Sequence, residues 1–220
     1  MVSFAYPNQV LLVSVVCQSF VVDNGAFTAW KRGRTVNWTD FYAFVAEWQH
    51  HPSFDWAVIP DVIDGTEADN DTLVQAWPFR LGTGVPVWHL HESLTRLQRL
   101  AAAFPRIALG SSGQWARPGA KDWWERIRAA LACISAQGQP ITKLHGMRML
   151  SPRVFPKLPL SSADSTNIAQ NIGIDKAWRT GPYSPPTKAA RGVILAERIE
   201  SQQSAPRLTI PPLQRRRPNY

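Results

Sequence analysis

Residues 85–113 read VPVWHLHESLTRLQRLAAAFPRIALGSSG. Val85–His91 and Arg106–Gly110 are short and mostly apolar on successive residues, which predicts strands buried on both faces, as in a parallel sheet. Between them Ser93 precedes Leu94, Leu97, Leu100 and Ala101, the spacing of one apolar helix face behind a capping hydroxyl. Strand, helix and strand in this order make a β-α-β unit.

The alternation continues on either side. Apolar runs recur at Val10–Val16, Phe20–Asp23, Asp55–Pro60, Ile141–His145 and Leu158–Ala163. Helical patterns fill the gaps. Thr39 is placed to cap a helix whose face is Phe41, Phe44, Val45 and Trp48. Thr66 and Asp69 resemble a capping box with the shorter acid. Gly119–Ala136 puts Trp123, Ile127, Ala130, Leu131 and Ile134 on one stripe. Such a chain is α/β, and two architectures compete: a (β/α) barrel and an open doubly wound sheet. No Gly-x-Gly-x-x-Gly follows the first apolar run, which counts against a dinucleotide-binding sheet. Gly192–Ile199, the segment left for an eighth strand, reads equally well as a helix. The predicted fold is a compact (β/α)8-type, TIM-like barrel over residues 1–200, irregular at its last strand. A Pro/Arg-rich tail at 201–220, extended or disordered, follows it.

Composition narrows the setting. The chain has 220 residues and is 45% apolar, enough for a core. No apolar run approaches the ~18 residues of a membrane span, and no basic stretch precedes Val10–Val16 as in a signal peptide, so a cytoplasmic protein with no membrane partner is expected. Cys17 and Cys133 alone make neither a disulfide framework nor a four-ligand zinc cluster, which suits a reducing compartment. The net charge of +8 is unevenly placed: residues 1–142 hold 11 basic and 12 acidic side chains, residues 143–220 hold 13 and 4. The basic excess lies in the last third, either as a solvated surface or as a face for a polyanion.

In a barrel of this type chemistry sits at the C-terminal ends of the strands. Asp23, Asp61, His89, His91, Gly110, Ser111, His145 and Asp164 all end or directly follow apolar runs. A lone Asp there is ordinarily a cap or turn former. Three at one edge suit displacement at a sugar anomeric carbon, one attacking and another exchanging a proton with the leaving group. His89 and His91, two apart, share a side of a strand and with Asp61 or His145 could ligate a metal. No soft ligand accompanies them, so no metal and no cofactor is expected. His50 and His51 read as surface residues near a helix C-terminus. Trp30, Trp88 and Trp115 follow strand ends closely enough to stack on a base, the other tryptophans reading as core.

At these strand ends the sequence resembles the tRNA-guanine transglycosylase superfamily. Val22-Asp23-Asn24-Gly25-Ala26-Phe27 is similar to that family's Asp-Ser-Gly-Gly-Phe segment, Ile59-Pro60-Asp61 to its base-recognising strand end, and Leu109-Gly110-Ser111-Ser112-Gly113 to its Gly-rich loop. Leu144-His145-Gly146-Met147 and Ser162-Ala163-Asp164-Ser165-Thr166 follow in the family's order, the latter in the place of its nucleophile. The likeness covers residues 10–175. The family's zinc subdomain has no counterpart here, and the brevity is most like the compact branch that inserts 7-deazaguanine bases into DNA in phages and genomic islands.

The resemblance implies a DNA-guanine transglycosylase with Asp164 as nucleophile and Asp23 as proton carrier. Asp61 would read the guanine edge through two hydrogen bonds. Asn24, Gly25, Phe27, His89, His91, Gly110, Ser111 and His145 would line the base pocket. Arg148, Arg153, Lys157, Arg215, Arg216 and Arg217 would hold DNA phosphates. A phage-encoded chain would act in the cytoplasm of its bacterial host. The competing readings are a glycosidase or nucleoside hydrolase that uses water, a non-catalytic nucleic-acid-binding barrel, and a metal-dependent barrel hydrolase. The oligomeric state is left open.

Overall fold

The computed structural model describes residues 1–208. Its ten strands are β1 (Val2–Ser3), β2 (Phe20–Asp23), β3 (Phe54–Val58), β4 (Gly84–Val85), β5 (Val87–His89), β6 (Arg106–Gly110), β7 (Ser135–Ala136), β8 (Gln139–Pro140), β9 (Lys143–Gly146) and β10 (Ser162–Ala163). Its helices are α1 (Gln9–Val16), α2 (Ala26–Lys31), α3 (Trp38–Trp48), α4 (Glu67–Gln75), α5 (Leu94–Ala103), α6 (Lys121–Cys133), α7 (Asn167–Asn171), α8 (Lys176–Arg179) and α9 (Lys188–Glu200).

The fold is α/β with parallel sheets. One sheet runs β1-β2-β3-β4 and another β10-β9-β6-β5, every neighbouring pair parallel. The two meet at Pro86, which has no N–H to give a ladder. Its carbonyl accepts from Ala108 N–H at 2.9 Å, while Val85 O accepts from Ile59 N–H at 2.9 Å. The strip therefore continues from one sheet to the other through a single kinked strand. Among the described residues no ladder joins the outer strands β1 and β10.

Side chains alternate across this strip. Phe20, Val22, Ala57, Ile59, Trp88, Ile107, Leu109 and Leu144 pack outward in one core with the helix faces of Phe41, Val45, Leu97, Leu100, Trp123, Ile127 and Leu131. Trp56, Val58, Val85, Val87 and Ala108 form a second buried cluster on the opposite face, with Val21 and Met147 against it. The Trp56 and His145 rings, on β3 and β9, meet edge to face at 4.9 Å although a kinked strand and β6 lie between them in the sheet order. The strip is therefore strongly curled and its concave side is filled with side chains.

Local signals explain most elements. Ser93 Oγ accepts from Arg96 N–H to cap α5, and Thr66 with Asp69 closes the capping box of α4. The α6 stripe is buried as its spacing predicts, and β7 and β8 form a hairpin whose turn residues Gln137 and Gly138 both have positive φ.

Several expectations are corrected. Val10–Val16 is helix α1, not a strand: the parallel pairing of Val2 with Val22 requires the chain to return along the sheet, and this segment is the crossover. The strand before it is the two-residue β1. Leu158–Ala163 supplies only Ser162 and Ala163 to the sheet, because Pro156 and Pro159 lack ladder donors and Phe155–Lys157 forms a 3-10 turn. The cap of α3 is Asn37, whose side chain accepts from Thr39 N–H. Gly192–Ile199 lies within helix α9, leaving seven positions in the curled strip once β4 and β5 are taken as one kinked strand. Residues 201–208 run without regular structure and are held to the body by Leu208 N–H donating to Gly138 O at 2.7 Å. No helix among the described residues is long and apolar enough to cross a membrane.

Candidate functional site

The registers align the strand ends in one row. Ser3 pairs with Asp23, His89 with Gly110, and Ala163 with Gly146. Asp164 N–H donates to Gly146 O at 3.2 Å. Asp23, His89 and Gly110 share the concave parity of Val21, Val87 and Ala108, so the curl brings them to one mouth. Arg148, after β9, lays its guanidinium over the Phe27 ring of α2 at 4.9 Å, a contact across that mouth.

Asp23 is half-buried. Its Oδ2 accepts from Ser3 Oγ at 2.7 Å and from Gly25 N–H at 3.2 Å. Burial pushes its carboxyl up to about 6, the Ser3 and Gly25 bonds work against that rise, and the Asp61 and Asp164 charges add to it. Gly25 sits at φ +79, the left-handed region, as N-cap of α2, and a Cβ there would crowd Ala5 N at 3.1 Å.

Asp164 stands on the other arm of the curl. Its Oδ1 accepts from Arg148 N–H at 2.9 Å and lies 3.4 Å from His145 Nε2, without the alignment of a hydrogen bond. His145 is buried and its Nδ1 is 2.9 Å from Ser162 Oγ. With the Ser162 hydroxyl donating to Nδ1, the Nε2 proton faces Asp164. Asp164 Oδ2 has no hydrogen-bond partner among the described residues, and the side chain is 29% exposed, so one oxygen of an otherwise anchored carboxylate is free.

Asp61 differs from the expectation. It is buried, its Oδ1 accepts from Asn24 Nδ2 at 2.6 Å, and its Oδ2 lies 2.8 Å from His89 Nε2. Both oxygens have protein partners, so the two-bond contact to a base edge is not the arrangement found. Asn24 is likewise spent internally: Nδ2 also donates to Ile59 O and Oδ1 accepts from Ala26 N–H. Ser111 is buried and its Oγ accepts from Trp123 Nε1 at 2.9 Å, tying the loop after β6 to α6. Trp88 is fully buried and cannot stack on a base, whereas Trp30 is exposed beside Phe27 and Trp115 faces Arg126. His91, past the end of β5, is exposed and stacks on His89 with ring centroids 5.5 Å apart.

A buried network missed in the sequence holds this row from behind. Glu92 Oε2 accepts from His89 N–H at 2.9 Å and from Arg96 Nη1 at 2.6 Å. Glu92 Oε1 accepts from Asn70 Nδ2 at 2.9 Å, and Arg96 Nε donates to Asp71 at 2.8 Å. Arg96 is i+4 from Glu92 across a helix start, a spacing that signals such a pair. Ser3, the partner of Asp23, had no signal beyond its hydroxyl.

Of the basic candidates, Arg148, Arg153 and Lys157 are exposed, Arg148 at φ +60 and Lys157 with its ammonium 5.7 Å from the Trp124 ring. Arg215, Arg216 and Arg217 lie outside the described residues. Two surface cavities lie away from the mouth, one of about 570 Å³ at the N-terminal ends of β9 and β10 and one of about 660 Å³ between α7, α8 and α9. Among the described residues no group of three or more His, Cys, Asp or Glu is arranged to hold a metal ion. No family model, no curated protein and no solved structure matches the chain.

Proposed function

We propose that the protein is a DNA-guanine transglycosylase of the compact kind its strand-end motifs resemble, built on a compact, irregular (β/α) barrel of seven strand positions. It exchanges guanine in DNA for a 7-deazaguanine base such as 7-cyano-7-deazaguanine. The observation that carries this reading is the pair of unlike carboxyls at one mouth: Asp164, anchored through one oxygen with the other free, and Asp23, raised to about 6. Two carboxyl groups whose surroundings separate their protonation are suited to a nucleophile and an acid–base partner.

Asp164 Oδ2 attacks C1′ of the deoxyguanosine nucleotide and forms the C1′–O bond as the C1′–N9 bond breaks. The bonding pair leaves with guanine, which takes the proton of Asp23. The incoming 7-deazaguanine gives its N9 proton to the Asp23 carboxylate and attacks C1′, expelling Asp164. Two displacements retain the configuration at C1′. A value near 6 suits a group that must give and take one proton in a cycle. The target base has to leave the duplex stack or lie in a single strand, and the basic last third is the side on which the backbone would rest.

Incubation with a guanine-containing oligonucleotide and labelled guanine tests the assignment. Incorporation of label, together with a denaturation-resistant protein–DNA adduct, is the expected result. Asp164→Ala should lose both while keeping DNA affinity, and full exchange by that variant sinks the reading. Release of guanine without incorporation would instead identify a hydrolase using water.

A further inference from the structure

The cavity of about 660 Å³ between α7, α8 and α9 is lined by Arg153, Lys176 and Arg198, with Asp175 as its one carboxylate. Three cations against one acid leave a surplus of positive charge in a concave site of ligand size. That acid is already engaged. Asp175 Oδ1 accepts from Ala177 N–H at 2.8 Å and Oδ2 from Arg198 Nη1 at 3.1 Å. Arg198 keeps Nε and Nη2 without a protein partner among the described residues. Arg153 and Lys176 are exposed and enter no ion pair there. Pro152, Leu195, Ile199 and the 59% exposed Ile174 give the same cavity an apolar wall. It lies outside the mouth but borders the loop of the proposed nucleophile on two sides. Asn167 in its wall is three residues past Asp164, a contour of at most about 11 Å. Ser151, also in the wall, follows Leu150, whose N–H donates to Asp164 O at 2.9 Å.

We propose that this cavity is a second DNA subsite: Arg153, Lys176 and Arg198 hold a backbone phosphate one to three nucleotides from the exchanged guanine, with the adjoining sugar or base against Ile174. The spacing follows from the contour above and a rise of about 3.4 Å per nucleotide. The inference rests on the transglycosylase reading, which puts the target nucleotide at Asp164. Phosphate contacts of this kind set register and affinity, not the choice of base.

The test uses full-length protein and a single-stranded oligonucleotide with one guanine. Arg153→Gln/Lys176→Gln, at two exposed positions, should weaken binding by at least about tenfold and lower the salt slope by about 0.7–1.4. It should raise KM for the oligonucleotide and leave KM for labelled guanine unchanged. Arg80→Gln/Lys143→Gln removes the same charge from the N-terminal ends of the strands, and an equal loss in that variant overturns the subsite in favour of net charge. In the wild type, a neutral methylphosphonate at one linkage within three nucleotides of the guanine should weaken binding about as much as the double variant, and should cost the double variant little more. Indifference at every such linkage overturns the proposal, and this readout needs no variant to fold. Binding of 2′-deoxyguanosine 5′-monophosphate as tightly as the strand would mark a free-nucleotide site and also overturns it. A wild type that binds the strand with these sensitivities but neither incorporates guanine nor forms an adduct overturns the transglycosylase reading instead.

Discussion

The Arg148 guanidinium rests 4.9 Å from the Phe27 ring centroid, while the backbone N–H of the same arginine donates to Asp164. One residue thus joins the loop after β9 to the helix after β2 and anchors the proposed nucleophile. A double-mutant cycle of Arg148→Ala and Phe27→Ala, read by urea unfolding, should give a coupling of about 0.5–1 kcal/mol, the worth of an exposed cation–π pair. Independent effects would mean the contact contributes nothing to closing the mouth.

Asp23 makes stability depend on pH in a defined direction. Its carboxyl is raised from 3.8 to about 6 in the folded protein, so between these values the native state holds a proton that the unfolded chain has released. Its contribution is greatest below about pH 4 and is lost as pH rises through about 6. Asp23→Asn should flatten this part of the stability curve, measured as Tm at pH 4 and pH 7.

In the proposed exchange the same group would set the pH dependence of the first chemical step. Adduct formation requires protonated Asp23, so its single-turnover rate should fall about tenfold per pH unit above about 6. Asp23→Asn should slow adduct formation and exchange together by about two to four orders of magnitude. A pH-independent adduct rate between 5 and 8 would remove Asp23 from the acid role.

Behind the mouth, the Glu92–Arg96 pair is fully buried. Glu92→Ala leaves the Arg96 charge with Asp71 alone and frees the His89 N–H, and should cost about 3–5 kcal/mol of stability. Ser111→Ala orphans Trp123 Nε1 and should cost about 1–3 kcal/mol. Chemical denaturation of the two variants checks both values.

The periodic signals carried far into the structure. The segment 85–113 folds as strand, Ser93-capped helix and strand, and the α6 stripe is buried. Val10–Val16 misled because β-branched apolar residues fit either a buried strand or a crossover helix, and only the pairing of Val2 with Val22 decides between them. The row of Asp23, His89, His145 and Asp164 was legible because the strand-end rule depends on chain order. The internal engagement of Asp61 and Asn24 was not, because a hydrogen bond across 37 residues of sequence leaves no local trace. The Ser3–Asp23 bond was hidden for the same reason, since it depends on a two-residue strand too short to show a period.

The clasp between Leu208 and Gly138 sets a tether length for everything beyond it. Gly138 belongs to the hairpin that precedes β9, at the end of the strip opposite the mouth. From Leu208 to Arg215 is seven residues, a contour of at most about 24 Å, against about 17 Å for a five-residue strand such as β6. Arg217 lies nine residues beyond Leu208, so the cluster has a contour of about 24–32 Å to draw on, longer than a strand of the strip. Deletion of residues 209–220 should reduce the salt slope of DNA binding by no more than about three and leave the KM for guanine unaltered, separating the hold on the backbone from the choice of base.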